Sequence, residues 1–206
     1  MELIASLDAL EFVGLVLGLA AVLLLIRQSI WTWPVGLAYA LISVWVFLDA
    51  KLYADLLLHL FYVFMNLYGW WYWLNAKQEP GPERVSAVSG GAEDVGLPVS
   101  RSTYSQLLIL GAIGVFGSLV MGFYFATYTD ADYAYADSAT TAFSFVAMWM
   151  QARKLLESWV LWFVIDIGAT ALYTIKGLEF YAILYLVYLA LAVMGWQAWR
   201  RTMTPR

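Results

Sequence analysis

Two stripes of polar and aromatic side chains recur at helical spacing along this chain of 206 residues. Steps of three and four residues bring side chains onto one face of a helix. The first stripe is Asp55, His59, Tyr62, Asn66, Trp70 and Trp73, and the second is Trp159, Trp162, Asp166, Thr170 and Tyr173. Carboxylates, an imidazole, an amide and aromatic rings on facing helices can bind a small cationic or polar molecule, or they can move protons.

The composition places these stripes inside a membrane. Hydrophobic residues make up 63% of the chain, charged residues 13%, and the mean hydropathy is +0.73, whereas soluble domains carry about 25% charged residues. The first residues, MELIASLDALEF, lack the positive start of a cleaved signal peptide. We therefore predict an all-α integral membrane protein. A net charge of −4 offers no basic surface to nucleic acid, and zero cysteines exclude disulfides and thiolate metal sites. The sequence predicts no cofactor and no metal.

Seven apolar segments approach the length of about 20 residues that spans a bilayer. They lie at about 10–27, 32–48, 52–74, 105–128, 138–152, 158–175 and 178–199. The fifth is short and partly polar, so we expect it to pack against protein rather than lipid. Between the third and fourth, residues 75–104 are rich in Gly, Pro, Ser and charge, which predicts a flexible cytoplasmic linker.

The basic residues predict the orientation of the chain in the membrane. With seven spans, nine of the 11 Lys and Arg residues fall on one side, and only Lys51 and Lys176 fall on the other. Positive charge collects in cytoplasmic loops. We therefore expect a cytoplasmic C-terminus and an external N-terminus.

A shift of 126 residues brings similar residues into register. The matched pairs are Trp33 and Trp159, Tyr62 and Tyr188, Gly69 and Gly195, Trp70 and Trp196, and Trp73 and Trp199. This pattern predicts a 3+1+3 parallel repeat, with three-helix units at 1–74 and 129–206 and a connector helix at 105–128. Parallel repeats are typical of transporters that bind substrate between the two halves near the midplane.

The connector carries small residues at a spacing of four, namely Gly114, Ser118 and Gly122. Such a ridge allows the backbones of two membrane helices to approach closely. We expect it to serve helix packing alone.

Two stretches, AKLYADLLLHLFYVFMNLYGWWYW and ARKLLESWVLWFVIDIGATALYTIKGL, resemble the PnuC transporters of nicotinamide riboside and related vitamins. The specific motifs are N-x-Y-G-W-x-x-W in the third helix and R-K-x-x-E-x-W-x-x-W at the sixth. The resemblance implies a fold similar to the SWEET sugar transporters, a homotrimer, and residence in the bacterial cytoplasmic membrane. It also implies facilitated uptake of nicotinamide riboside, a precursor of NAD, which a cytoplasmic kinase then traps by phosphorylation.

Two positions depart from the family pattern. His59 stands where many relatives carry Gln, and Trp162 and Asp166 stand where carriers of nicotinamide riboside often show W-x-x-x-N. Both departures fall on predicted substrate positions. Thiamine, or another vitamin or nucleoside, is therefore the alternative substrate.

Asp166 is the strongest candidate for a substrate or coupling residue, because an ionisable group in mid-span costs about 2.5–3.5 kcal/mol and normally faces a cavity or a partner. Asn66 can contact the ligand or hydrogen bond between helices, and the resemblance favours the ligand. His59 can be a ligand contact, a proton carrier or a satisfied polar residue.

Aromatic residues complete the predicted substrate site. Trp162, one turn from Asp166, is the candidate for stacking on a cationic heteroaromatic ligand, and the matched Tyr62 and Tyr188 also belong to the site. Trp70 admits two readings, a gate or floor of the site and an anchor at the membrane surface. Trp71 lies off the stripe and is predicted to be an interfacial anchor.

The function that these features predict is transport without catalysis. No G-x-x-x-x-G-K loop supports ATP drive, and no H-E-x-x-H or G-x-S-x-G motif supports an intramembrane enzyme. The last helix lacks the mid-span lysine of a retinal protein, and a passive scaffold would leave Asp166 unexplained. Facilitated diffusion is the simplest mechanism, and proton coupling through Asp166 or His59 is the alternative.

Overall fold

A computed structural model describes residues 2–49, 53–75, 97–130, 132–177 and 179–203. These residues form seven helices and no sheet. The helices are α1 (Glu2–Ile26), α2 (Thr32–Asp49), α3 (Tyr53–Asn75), α4 (Tyr104–Tyr128), α5 (Ala134–Ala152), α6 (Ser158–Ile175) and α7 (Glu179–Thr202). All seven match predicted segments. α1 begins eight residues before its predicted start, because helical hydrogen bonding continues past the apolar stretch.

Three helices of the described chain are by themselves long and apolar enough to cross a bilayer. They are Tyr104–Tyr128, Ser158–Ile175 and Tyr181–Thr202, and shorter apolar helices run through Phe12–Ile26 and Thr32–Val46. α3 and α5 carry more polar residues, and these turn toward protein. His59 and Asn66 of α3 are buried, and so are Ser138, Ser144 and Gln151 of α5. The expectation that the fifth span needs protein neighbours is confirmed.

Six helices form a ring, and the seventh lies outside it. In the described residues α1 packs on α2, α2 on α3, α3 on α5, α5 on α6, α6 on α7, and α7 on α1. α4 packs only on α5 and leaves most of its apolar surface exposed. The ring encloses the cavity described below.

Small residues of α4 bring it close to α5. A Cβ atom placed on Gly114 would collide with the ring of Phe143, and one placed on Gly122 would collide with the ring of Tyr135. The hydroxyl of Ser118 donates a hydrogen bond to the Gly114 carbonyl oxygen at 2.7 Å, so it has its partner within α4. The predicted packing role of this ridge is confirmed.

The same packing arrangement occurs at positions 126 residues apart. The indole of Trp33 meets that of Trp73 edge to face at 5.2 Å, and Trp159 meets Trp199 in the same way at 5.3 Å. Gly69 makes room for Trp33, and Gly195 makes room for Trp159, because a Cβ atom at either glycine would collide with the ring. The matched G-W-x-x-W motifs therefore have one physical explanation, a tryptophan seated on a glycine.

Hydrogen bonds from two tryptophans connect the two halves of the chain. Trp73 Nε1 donates to the carbonyl oxygen of Ala152 at 3.0 Å, which joins the end of α3 to the end of α5. Trp199 Nε1 donates to the carbonyl oxygen of Leu25 at 3.0 Å, which joins the end of α7 to the end of α1. All four residues are buried. These bonds close the ring at the ends of the four odd-numbered helices α1, α3, α5 and α7.

The turns after α1 and α5 also correspond. Gln28 has φ of 56° and Lys154 has φ of 51°, a left-handed conformation that non-glycine residues seldom adopt. Lys154 Nζ donates to Gln28 Oε1 at 3.1 Å and lies 4.2 Å from the centre of the Trp73 ring. The two turns therefore touch at the same end of the ring.

Of the predicted linker 75–104, residues 76–96 lie outside the described residues. The described residues 97–103 run across the turn between α5 and α6. Ser100 N donates to the Lys154 carbonyl at 3.1 Å, the Leu156 amide donates to the Ser100 carbonyl at 2.9 Å, and Ser102 N donates to Glu157 Oε2 at 2.8 Å. This segment is therefore fixed to the second half of the chain before α4 begins.

Candidate functional site

A cavity of about 210 Å³ lies inside the ring, beside the middle of α3 and α7 and the first turns of α2 and α6. Six helices supply its wall. The lining residues are Gly18, Ala21, Val22, Leu25, Thr32, Trp33, Gly36, Tyr39, Leu58, His59, Tyr62, Asn66, Met148, Gln151, Trp159, Trp162, Asp166, Tyr185, Tyr188 and Ala192. An apolar wall with a few converging polar groups is the usual form of a small-molecule site.

Six of the seven residues predicted to bind substrate line this one cavity. They are His59, Tyr62, Asn66, Trp162, Asp166 and Tyr188. Trp70 is not among the lining residues and packs instead against the buried cluster at the end of α3. The cavity therefore brings the two predicted stripes together but leaves out the last turns of α3.

Among the described residues that line the cavity, Asp166 is the one acidic residue. Its side chain is 3% exposed, and no Lys or Arg of the described chain forms an ion pair with it. The neighbours that share its cavity include the aromatic residues Trp162, Tyr185 and Tyr188. A buried carboxylate without a counter-charge is unfavourable, so this position is suited to a cation that enters from the cavity.

His59 lies between two tyrosines. The hydroxyl of Tyr39 is 3.2 Å from His59 Nε2, and the tautomer of the imidazole decides which atom donates. The rings of Tyr39 and Tyr62 meet the imidazole edge to face at 5.6 and 5.3 Å. His59 is thus held in place by its own helix and by α2 while it borders the cavity.

Asn66 is fixed by its own helix. Its Nδ2 donates to the carbonyl oxygen of Tyr62 at 2.8 Å. The other amide atom, Oδ1, lies over Gly36 of α2, where any Cβ atom would collide with it. The amide therefore makes a bond within α3 and keeps its acceptor beside the cavity.

Three indole N–H groups at the cavity are buried donors. Among the described residues no acceptor pairs with Nε1 of Trp33, Trp159 or Trp162. An unpaired buried donor costs about 1–3 kcal/mol. These tryptophans line the cavity, but their Nε1 atoms are covered by neighbouring protein atoms, so these N–H groups do not contact the space inside it.

Several lining residues lie off the two predicted stripes. Tyr39 and Gly36 come from α2, Gln151 from α5 and Tyr185 from α7. The shift of 126 residues is a signal that could have found two of them, because it maps His59 onto Tyr185 and Trp162 onto Gly36. Helical periodicity alone does not distinguish these lining residues from their neighbours, because glycine and aromatic residues are frequent in these helices.

Beside the cavity, at one end of the ring, lie the four residues that we call the tryptophan layer, Trp33, Trp73, Trp159 and Trp199, of which Trp33 and Trp159 also line the cavity. Each is at most 3% exposed, and Leu25, Met65, Ala152 and Leu156 pack with them. Basic side chains lie at the same helix ends as this layer: Arg153 and Lys154 come directly after α5, and Arg200 lies in the last turn of α7.

A model of the nicotinamide mononucleotide transporter family matches residues 8–201. The chain belongs to this family. The match takes in both stripes and nearly all the described helices. The protein is therefore a multi-pass membrane transporter, and the predicted resemblance to the PnuC transporters is confirmed.

The individual relatives are named as transporters, but their names give different substrates. The chain is 27% identical over 211 residues to the nicotinamide riboside transporter PnuC of Escherichia coli, covering 94% of this chain and 86% of that protein. It is 26% identical over 190 residues to the riboflavin/roseoflavin transporter RibM of Streptomyces davaonensis, covering 92% and 83%. Family membership alone therefore leaves the substrate open.

A solved structure shows the same fold. The crystal structure of the vitamin B3 transporter PnuC matches with a TM-score of 0.73 at 22% identity, over 95% of this chain and 82% of that one. The predicted class, an all-helical membrane protein with seven helices, is confirmed.

Proposed function

We propose that this protein carries nicotinamide riboside across the bacterial cytoplasmic membrane by facilitated diffusion. The observation that carries the proposal is the carboxylate of Asp166, buried at a cavity without an ionic partner in the described chain, one helical turn from Trp162. Nicotinamide riboside has a flat pyridinium ring with a fixed positive charge. A carboxylate can neutralise that charge, and an aromatic face attracts it by about 0.5–2 kcal/mol.

Charge separates this substrate from riboflavin. The relative RibM is named for riboflavin, whose ring system is neutral at physiological pH. A neutral ligand would leave Asp166 buried without compensation, which is unfavourable. The cavity therefore supports a cation over riboflavin.

Hydrogen-bonding capacity favours a sugar-bearing cation. Four tyrosines line the cavity, Tyr39, Tyr62, Tyr185 and Tyr188. The ribose of nicotinamide riboside offers several hydroxyl groups and a ring oxygen to these partners, whereas thiamine offers a single hydroxyl. Buried polar groups without partners are costly, so the riboside uses this wall better.

Thiamine remains the second candidate because of Asp166 itself. The resemblance implies that carriers of nicotinamide riboside often have asparagine at this position, and a carboxylate here strengthens the attraction for any cation. Thiamine is also a cationic heteroaromatic molecule. The number of hydroxyl partners, rather than the charge, distinguishes the two ligands.

We propose a 3+1+3 parallel repeat of units 1–74 and 129–206 joined by α4. The Trp–Gly contacts and the left-handed turns recur at 126 residues, and the matched Trp73 and Trp199 each bond a carbonyl of the opposite half, which supports the repeat. A site between parallel repeats is opened to each side in turn by movement of one unit against the other. The homotrimer that the resemblance implies is compatible with the exposed apolar surface of α4.

In this proposal the tryptophan layer is the cytoplasmic closure of the cavity. Basic residues lie at the same end of the ring, including Arg153, Lys154 and Arg200, and positive residues favour the cytoplasmic side. Opening requires the bonds of Trp73 and Trp199 to the opposite half to break. No cofactor or ion gradient enters this mechanism, and the direction of net flux follows the substrate gradient.

Counterflow in liposomes tests the proposal. Purified protein is reconstituted into vesicles loaded with unlabelled nicotinamide riboside, thiamine or riboflavin, and entry of the labelled form of each is measured. We expect rapid exchange of nicotinamide riboside and weaker exchange of thiamine. Exchange of riboflavin alone would overturn the proposal, and stimulation by an imposed proton gradient would replace facilitated diffusion with proton coupling.

A further inference from the structure

At two pairs of corresponding positions, the two halves of the cavity wall carry residues of different size. The shift of 126 residues maps Gly36 onto Trp162 and Asn66 onto Ala192, and all four residues line the cavity. The first half has a minimal residue on α2 facing a polar side chain on α3. The second half has a large residue on α6 and a small one on α7. A cavity with matched tyrosines at Tyr62 and Tyr188 is thereby made asymmetric.

The contact between Gly36 and Asn66 explains why the two differences occur together. A Cβ atom at position 36 would collide with Asn66 Oδ1 and would press on its Cγ. Nδ2 of Asn66 donates to the Tyr62 carbonyl oxygen at 2.8 Å. A rotation of the amide by 180° would break this hydrogen bond, because it would place Oδ1, an acceptor, against the carbonyl oxygen, also an acceptor. Gly36 and the Tyr62 carbonyl together fix which end of the amide borders the cavity.

We propose that Gly36 is a specificity-determining residue, which holds Asn66 Oδ1 as a hydrogen-bond acceptor for an N–H donor of the substrate. The proposal rests on the proposed function. In nicotinamide riboside the N–H donors are those of the carboxamide. Because Ala192 stands at the corresponding position of the second half, the asparagine acceptor lies on the wall formed by α2 and α3, and the substrate binds with its carboxamide toward this wall.

Two ligands that differ in this donor provide the test. Nicotinamide riboside has the carboxamide, and 3-acetylpyridine riboside keeps the ring charge, the carbonyl and the ribose but has a methyl group in place of the NH₂. Binding of both is measured by calorimetry to the wild type, Gly36→Ala, Asn66→Ala and the double variant. Gly168→Ala is the matched control, because a Cβ atom at that helical glycine meets nothing within 4 Å.

We expect Gly36→Ala to weaken binding of nicotinamide riboside about tenfold, which corresponds to one lost hydrogen bond. In the Asn66→Ala background the same change should have little effect, because the side chain that it displaces is gone. Both single variants should lose the preference of the wild type for the carboxamide over the acetyl ligand, and Gly168→Ala should keep it.

An equal loss from Gly36→Ala in both backgrounds, or a preserved preference for the carboxamide, would overturn the role of Gly36. Wild-type binding of nicotinamide riboside is a separate result and tests the proposed function itself. If thiamine or riboflavin binds in its place, the same four proteins are titrated with that vitamin, since each also carries N–H donors, and absent coupling overturns the inference. If none of the three vitamins binds, both proposals fall.

Discussion

Lys154 donates a hydrogen bond from Nζ to Oε1 of Gln28, at 3.1 Å, although the two residues occupy corresponding positions 126 residues apart. Corresponding positions of two similar units can touch only near the axis that relates the units. The contact therefore marks where such an axis would pass, at the end of the ring where the tryptophan layer lies. Lys154 is also 2% exposed and lies over the ring of Trp73.

Lys154→Met should lower the thermal stability of the purified protein. Methionine keeps most of the length of the side chain but loses the hydrogen bond and the contact of the ammonium with Trp73, together about 1–3 kcal/mol. The control is Lys176→Met, which removes a more exposed ion pair to Asp137 and should cost less. Thermal unfolding in detergent measures both, and a larger loss from Lys176→Met would contradict the assignment.

Trp73→Phe and Trp199→Phe should destabilise the protein by similar amounts. Each change removes one indole N–H that bonds a carbonyl of the opposite half, and such bonds between membrane helices are worth about 0.6–1.7 kcal/mol. Trp71→Phe is the matched control, because Trp71 is 60% exposed. If both layer tryptophans behave like Trp71 in thermal unfolding, the bonds do not hold the halves together.

Weaker Trp–carbonyl bonds should also change transport. In the proposed mechanism these bonds break when the cavity opens, so Trp73→Phe should favour the open state. We expect faster counterflow relative to the amount of folded protein. Slower counterflow at equal folded protein would show that the layer is not the closure that moves.

Asp166→Asn should weaken binding of a cation in particular. A charge-assisted contact in a desolvated site is worth about 1.5–3 kcal/mol, or about ten- to a hundredfold in affinity. Dihydronicotinamide riboside has nearly the same shape as nicotinamide riboside without the positive charge. Titration of both ligands should show that the wild type prefers the cation and that the variant loses most of this preference.

An unchanged preference in Asp166→Asn would remove Asp166 as the counter-charge. Asp137→Asn is a suitable control, since Asp137 pairs with Lys176 away from the cavity. It should leave the affinity for both ligands as in the wild type.

The natural absence of cysteine makes the orientation testable with single cysteines. Asp132→Cys lies before α5, and Arg201→Cys lies in the last turn of α7, at opposite ends of the ring. With the C-terminus in the cytoplasm, a membrane-impermeant maleimide should label position 132 in intact cells and label position 201 only after lysis. The reverse pattern would invert the orientation and assign the tryptophan layer to the outer side.

The linker should tolerate a deletion only up to the segment that binds the turn between α5 and α6. Removal of residues 80–93, which are rich in small and charged residues, should leave counterflow largely unchanged. Extension of the deletion through Ser102 should lower the unfolding temperature, since Ser100 and Ser102 bond to Lys154 and Glu157. Equal stability of the two deletions would show that these bonds contribute nothing measurable.

The length of the apolar segments predicted the helices. Helical periodicity predicted much of the site, because polar residues in a membrane protein must turn toward a partner. Asp166 and Asn66 were found on this ground. Trp70 shares the stripe of Asn66, yet it lies beyond the cavity, because the stripe continues to the end of α3 and the cavity does not. Gly36 was missed because a glycine has no side chain to mark a face, and its role becomes visible only when Asn66 lies against it.

The bond between Trp199 and Leu25 joins residues 174 positions apart, and this has a consequence for biosynthesis. The ribosome synthesises α1 first and α7 last. The carbonyl of Leu25 therefore has no Trp199 indole to bond until almost the entire chain has been made. Trp73 waits in the same way for Ala152, 79 positions later. The nascent chain therefore enters the bilayer as an open arc of helices, and closure of the ring is an event that follows insertion.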